Sequence, residues 1–305
     1  MQVYKKLNFY KNGRGKFVFS FLLLFIFLSG CTSLNRQIES SLDSSLESSL
    51  DSLIENPIEN LIESSIEFRA EAGIPHEEEE IAVSLPVPGR HVYLTFDDGP
   101  SPNTNRILDL LARYGIRATF FLVGDHILDN EFMSYEDAER IVQRIHREGH
   151  YIGLHSMSHV IARLYQSQNA AENFYNEMRE LHELIYEITG EQRSFLYRAP
   201  YGTRGMFTRE HIRVMSGSGF LAWDWNIDTE DWRARSVDAI MEKIAEDLDA
   251  YDSLPQNAVI LLHERNITLE ALPFIIEYFL EMDYVFMHYV PENHFMLNLL
   301  HNPGI

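Results

Sequence analysis

Five short segments gather the residue types that carry out proton and metal chemistry, and each stands beside an apolar run. Thr95-Phe96-Asp97-Asp98-Gly99-Pro100 places two adjacent carboxylates ahead of a glycine-proline turn. Such a pair can divide labour, one carboxylate on a cation and the other free to take a proton. His155-Ser156-Met157-Ser158-His159 spaces two imidazoles four apart, so one helical turn would bring both to a single ion. With Asp98 they make a two-histidine, one-carboxylate set with open positions, suited to zinc hydrolysis, although non-haem iron takes a similar triad. Arg198-Ala199-Pro200-Tyr201-Gly202 sets a guanidinium ahead of a proline-fixed turn, where it could hold a carboxylate through two parallel hydrogen bonds. Asp228-Thr229-Glu230-Asp231-Trp232 is acidic and aromatic, as sugar-facing walls often are, and Val259 to His263 reads as a buried strand delivering a histidine at its end. Each segment alone has an ordinary structural explanation: Asp-Asp-Gly is a common turn, and a chain with 13 histidines readily contains a pair at this spacing. Their occurrence together, in this order, points to a hydrolytic site.

Elements are needed to bring these segments together. From Ile81 onward, apolar runs of four to seven residues alternate with amphipathic stretches, several closed by glycine. Strands are expected near 92–96, 118–123, 151–154, 195–198, 220–225, 259–262 and 284–288. Helices are expected near 104–114, 135–148, 170–189, 208–218, 237–248 and 268–282. This alternation predicts an α/β fold of about seven parallel strands wrapped by helices, with its site at the strand ends. Periodicity alone leaves an open doubly wound sheet and a closed barrel equally available.

The 305 residues suffice for one sizeable catalytic domain, with 45% apolar content. Forty-six acidic against 25 basic residues give a formal charge of −21, which repels nucleic acid and anionic lipid. Residues 1–30 have the build of an export signal: five basic residues and no acid, then an apolar run from Phe17 to Leu28, too short for a comfortable membrane span. Leu28-Ser29-Gly30-Cys31 resembles a bacterial lipobox, in which the cysteine takes a diacylglyceryl anchor; Cys31 is the only cysteine in the chain. Ordinary signal cleavage with release, or a lone buried thiol, is the simpler alternative. Residues 31–80 form an acidic spacer with an apolar residue every fourth position from Leu42 to Ile66, interrupted at Pro57. A period of four drifts by about 40° per repeat around a helix, so the stripe wraps instead of making a core face. Weak self-association is its alternative role; the oligomeric state is left open. The catalytic domain is expected at 81–305.

The five segments in this order resemble the polysaccharide deacetylase family, also called the NodB homology domain or carbohydrate esterase family four, over roughly residues 90 to 290. The resemblance implies a distorted (β/α) barrel with fewer than eight full repeats. It implies Asp97 as catalytic base, Asp98, His155 and His159 as ligands of a divalent metal, usually Zn2+, and Arg198 as the residue orienting the base. His263 would be the general acid, tuned by Asp228, with Asp231 as second candidate. Tyr201 would offer its N–H to the oxyanion, with Pro200 beside it and Trp232 and Leu261 lining the acetyl pocket. Leu154, where the family often has a polar residue, and Glu264, where aspartate is frequent, predict altered tuning around the metal and acid. The implied activity is removal of N-acetyl groups from a polysaccharide. Rivals are an O-acetyl esterase of the xylan type, a non-catalytic glycan-binding lipoprotein, and a lipoprotein acting mainly through its acidic repeat. An envelope location favours peptidoglycan N-acetylglucosamine over chitin-like oligomers or surface poly-N-acetylglucosamine.

Overall fold

The computed structural model describes residues 89–129, 131–190 and 194–305. The expected signal (1–30), Cys31 and the spacer (31–80) lie outside the described residues.

Strand β1 (Arg90–Gly99) organises the sheet. One edge pairs with β7 (Asn257–His263); the other is shared by β8 (Tyr284–Met287) along Arg90–Tyr93 and β2 (Thr119–Leu122) along Thr95–Gly99. Beyond β2 come β3 (Tyr151–Leu154), β4 (Leu196–Tyr197) and β5 (Leu221–Ala222), and beyond β7 comes β6 (Ile227–Asp228). All these pairings are parallel. The end strands β5 and β6 are joined by only Trp223–Asn226, so the chain itself curls the sheet towards closure, and a parallel bridge from Trp223 to Leu297 braces the seam. The seven expected strands are present; the two-residue β6 joins them.

Helices α1 (Thr104–Tyr114), α3 (Tyr135–Arg147), α4 (Ala170–Thr189), α5 (Arg209–Met215), α6 (Val237–Asp249) and α7 (Asn266–Glu281) follow the expected amphipathic stretches. Ser134, Thr208 and Ser236 cap α3, α5 and α6 by accepting hydrogen bonds from first-turn N–H groups. Two short elements have too few residues for a periodic signal: α2 (Gly124–Leu128) and a π-helical turn at Ala162–Gln166.

Strand alternation sorts the side chains into two cores. Val92, Leu94 and Phe96 of β1, Phe120 and Leu122 of β2, Ile152 and Leu154 of β3, and Ile260 and Leu262 of β7 belong to the large outer core against the helices. Tyr93, Phe121, Tyr151, Leu196 and Val259 have the opposite phase and fill the bore with Trp223 and Tyr289. Continuing that inner phase along each strand reaches Asp97, His155, Arg198 and His263 at the carboxyl ends. One periodicity therefore fills the bore and delivers four reactive residues to the same rim.

Candidate active site

Asp98 and the two histidines converge through loops. Asp98 sits where the β1–β2 register shifts between Asp97 and Gly99, in left-handed backbone (φ 67°). The segment His155–His159 is not the helical turn its spacing suggests: Ser156 (φ 66°) and His159 (φ 54°) are both left-handed, folding it into a tight loop. Such conformations cost of order 1–3 kcal/mol each for residues with a Cβ, so the surroundings must impose them. Several contacts do so. Ser156 Oγ accepts the His159 N–H, and the Ser156 and Met157 carbonyls accept the first N–H groups of α2. The fully buried carboxylate of Glu177, on α4, accepts the Ser158 N–H and hydroxyl.

Asp98 Oδ1 lies 3.5 Å from His155 Nε2 and 3.4 Å from His159 Nε2, buried and without a hydrogen bond of its own. Tetrahedral zinc with bonds of ~2.0–2.1 Å holds its ligand atoms ~3.4 Å apart. An orphaned carboxylate oxygen flanked by two imidazole nitrogens at that spacing fits a divalent cation. The protonation states agree: burial pushes His155 and His159 down to about 4, leaving them neutral, whereas for Asp98 the surrounding imidazoles outweigh burial and hold the carboxyl low. His155 Nδ1 donates to the Arg198 carbonyl (2.8 Å), which turns the Nε2 lone pair towards the site.

Asp97, 3% exposed, is raised to about 6 by burial, against the pull of Arg198. The guanidinium holds it through one bond, Nη1 to Oδ1 at 2.8 Å, where the sequence suggested two. Its other hydrogens go to the Thr95 hydroxyl and the Trp223 and Asp224 carbonyls, and it packs over the Phe121 and Trp225 rings. Arg198 is thus pinned between β1 and the β5–β6 link, and Asp97 retains Oδ2, which faces His155 Nε2 at 3.7 Å.

His263 stands opposite Asp97 in the β1–β7 register. Asp231 holds it twice, Oδ1 at 2.7 Å from Nδ1 and Oδ2 accepting the His263 N–H at 2.7 Å, so Nδ1 carries the proton and Nε2 is left for the site. Burial, which lowers this histidine, is outweighed by Asp231, Asp97 and Asp98, raising it to about 9. Of the two candidate aspartates, Asp231 is therefore the one on His263. Asp228 accepts the Glu230 N–H while its own N–H donates to Asp247, shaping the loop that carries Asp231.

The remaining expected residues fall into two groups. Tyr201 and Trp232 stand half-exposed, and the Tyr201 hydroxyl lies 3.4 Å from His159 Nδ1. Leu261 and Pro200 are buried, Leu261 on the inner phase of β7 and Pro200 with its carbonyl accepting the Tyr165 hydroxyl. Leu154 faces the outer core, so its apolar character serves packing and does not touch the metal ligands. Residues to which the sequence reading gave no role include Thr95, Glu177, His126 and Thr268, the last donating to Asp231. Only Glu177 carried a signal: an acid between Phe174 and Met178 on the apolar face of α4.

Fold and rim together define an α/β barrel whose rim carries a two-histidine, one-carboxylate group that could hold a cation, a buried carboxylate held by Arg198 and a histidine held by Asp231. Comparison with known proteins narrows this. The profile described as polysaccharide deacetylase matches residues 84–222. The chain is 38% identical over 214 residues to a peptidoglycan-N-acetylglucosamine deacetylase of Bacillus cereus, covering 69% of this chain and 73% of that one. It is 30% identical over 175 residues to a chitooligosaccharide deacetylase of Rhizobium leguminosarum, covering 57% and 67%. The crystal structure of the polysaccharide deacetylase Bc1974 from Bacillus cereus superposes with a TM-score of 0.61 at 34% identity, over 71% of this chain and all of that one. The chain spans 34% of the length of a peptidoglycan-N-acetylglucosamine deacetylase of Listeria monocytogenes, to which it is 28% identical over 183 residues. The chain belongs to the polysaccharide deacetylase family.

Proposed function

We propose that this protein is a zinc-dependent N-deacetylase of N-acetylglucosamine in peptidoglycan, held at the cell envelope by a lipid on Cys31. The observation that carries the reaction is the orphaned Asp98 Oδ1 between two neutral imidazoles, with the ionisable Asp97 beside it and His263 across the ladder.

Asp98, His155 and His159 would hold the cation, which when bound polarises the acetyl carbonyl and acidifies a neighbouring water. Asp97, kept at hand by Arg198, removes the proton as water attacks the carbonyl carbon. The Tyr201 N–H donates to the oxyanion that develops, a contribution typically of ~3 kcal/mol. His263, charged and oriented by Asp231, gives its Nε2 proton to the amide nitrogen as the C–N bond breaks. The products are acetate and a free amino sugar, and the proton on Asp97 returns to His263 through solvent. Trp232 and Tyr201, exposed at the rim, supply apolar faces against which a sugar ring packs.

Support for peptidoglycan comes from the lipobox-like leader and from the activity named for the Bacillus cereus relative. Acetate release should be compared on purified peptidoglycan, chitin oligomers and acetylated xylan. Release from peptidoglycan, abolished by a chelator and restored by Zn2+, is the expected result. Release from xylan alone would replace the amidase with an O-acetyl esterase, and activity indifferent to chelation would remove the cation from the reaction.

A further inference from the structure

Of the two proposed metal ligands in left-handed backbone, Asp98 and His159, Asp98 is the one that leaves a strand to reach it. At φ 67°, in a strand irregularity, it has left the regular ladder that fixes Asp97. Something must hold that peptide in an unfavourable region before any cation arrives.

Two side chains outside the five motifs reach this turn, one from just beyond the end of each neighbouring strand. On the β2 side, the first turn of α2 carries His126, whose Nδ1 lies 2.8 Å from the Asp98 carbonyl. A carbonyl only accepts, so Nδ1–H is the donor. The same helix start is tied to the Ser156 and Met157 carbonyls, which links the turn bearing Asp98 to the loop bearing His155 and His159. On the β7 side, Glu264 is 7% exposed and its carboxylate accepts the Thr104 hydroxyl at the start of α1. Its backbone carbonyl accepts from Asn103 Nδ2 (3.1 Å) and the Ser101 hydroxyl (3.4 Å). Its Oε1 packs so closely on Gly99 that a Cβ there would come within 2.3 Å. Glu264 therefore packs directly on the residue after Asp98 while it is itself tied to α1.

We propose that His126 and Glu264 are positioning residues that clamp the Asp98 turn from opposite sides, aiming its Oδ1 at His155 and His159 in the metal-free protein. The proposal rests on the reading of that trio as the cation site. It also accounts for the longer acid at position 264: aspartate would stop one methylene short of Thr104.

The test is Zn2+ affinity of the full chain, measured by competition with a chromophoric chelator, together with kcat, KM and Tm for each variant. His126→Ala and Glu264→Asp should each weaken Zn2+ binding by ~10–100-fold, the usual effect of losing a residue that orients a ligand. Acetate release at saturating Zn2+ should show lowered kcat with KM little changed. His126→Asn, whose Nδ2 can replace the Nδ1 donor, and Glu264→Gln, which keeps the length and an acceptor for Thr104, should hold Zn2+ to within about threefold of wild type. Folded His126→Ala and Glu264→Asp proteins with wild-type Zn2+ affinity would overturn the clamp. If His126→Ala does not fold, Glu264→Asp and Thr104→Val test the Glu264 side of the clamp without a large cavity, and unchanged affinity in both overturns the two-sided clamp. Failure of the wild-type chain to take up Zn2+ would instead count against the proposed cation site.

Discussion

Adjacent in sequence, Asp97 and Asp98 differ through the turn between them: burial lifts Asp97 to about 6, whereas surrounding imidazoles keep Asp98 low. In the proposed reaction the base, Asp97, works deprotonated and the acid, His263, works protonated. On this account kcat/KM rises with pH through the Asp97 value, at or below about 6 once a cation adds its charge, and falls as His263 loses its proton near 9. Asp231→Asn should bring the alkaline limb down towards the ordinary histidine value of ~6.5 and lower kcat, read from a pH–rate profile. An unshifted limb would remove Asp231 from the tuning of His263. Asp97→Asn should lower turnover by at least ~100-fold, the lower bound of general-base contributions, while Zn2+ uptake persists. Retained acetate release would exclude Asp97 as the base.

Elements explain which parts of this site were legible beforehand. Apolar runs announced the position of the strands, so Asp97, Arg198 and His263 could be placed at strand ends from sequence, whereas the inner phase that aims them at one rim emerges only from the packing. The His155–His159 pair does converge with Asp98, but by a different geometry: spacing suggests a helical turn, whereas two left-handed residues and the Glu177 anchor make a loop. No local rule predicts that, because the anchor lies on a helix whose approach depends on the whole sheet. Asp231 over Asp228 was equally invisible, since the choice depends on how the loop after β6 meets β7. Helix α2 was missed for a simpler reason: five residues hold no period. Packing between strands also yields a test. A methyl group on Gly153 of β3 would meet the Phe121 ring at 2.5 Å, and that ring carries the Arg198 guanidinium at 4.3 Å. Gly153→Ala should cost ~1–3 kcal/mol, seen as a lower Tm, and reduce kcat by displacing Arg198. A drop in Tm with unaltered kcat would show that Phe121 does not transmit the strain.

At the scale of the molecule, closure of the barrel is shared among segments far apart in sequence. The buried Asp224, in the four-residue link between β5 and β6, accepts the Leu299 N–H from the C-terminal stretch and both the N–H and the hydroxyl of Thr203, just past Tyr201. Asp224→Ala leaves those buried donors unpaired and should destabilise the domain by at least ~1–3 kcal/mol in chemical denaturation. Wild-type stability would show that the tail does not brace the seam. A separate expectation concerns the leader, beyond the described residues. Cys31→Ala should abolish incorporation of labelled fatty acid and move the protein from the membrane to the soluble fraction, whereas continued labelling would rule out this cysteine as the anchor point.

Tyr93, Phe121, Tyr151, Trp223 and Tyr289 leave the centre of the barrel solid. A polymer cannot be threaded through it, and the reactive groups stand at one end of a stopped tube. On the proposed reading, a glycan strand must be draped across that end, so units far from either terminus are as reachable as the last one. Such an enzyme would scatter free amines along intact wall material without first cutting it.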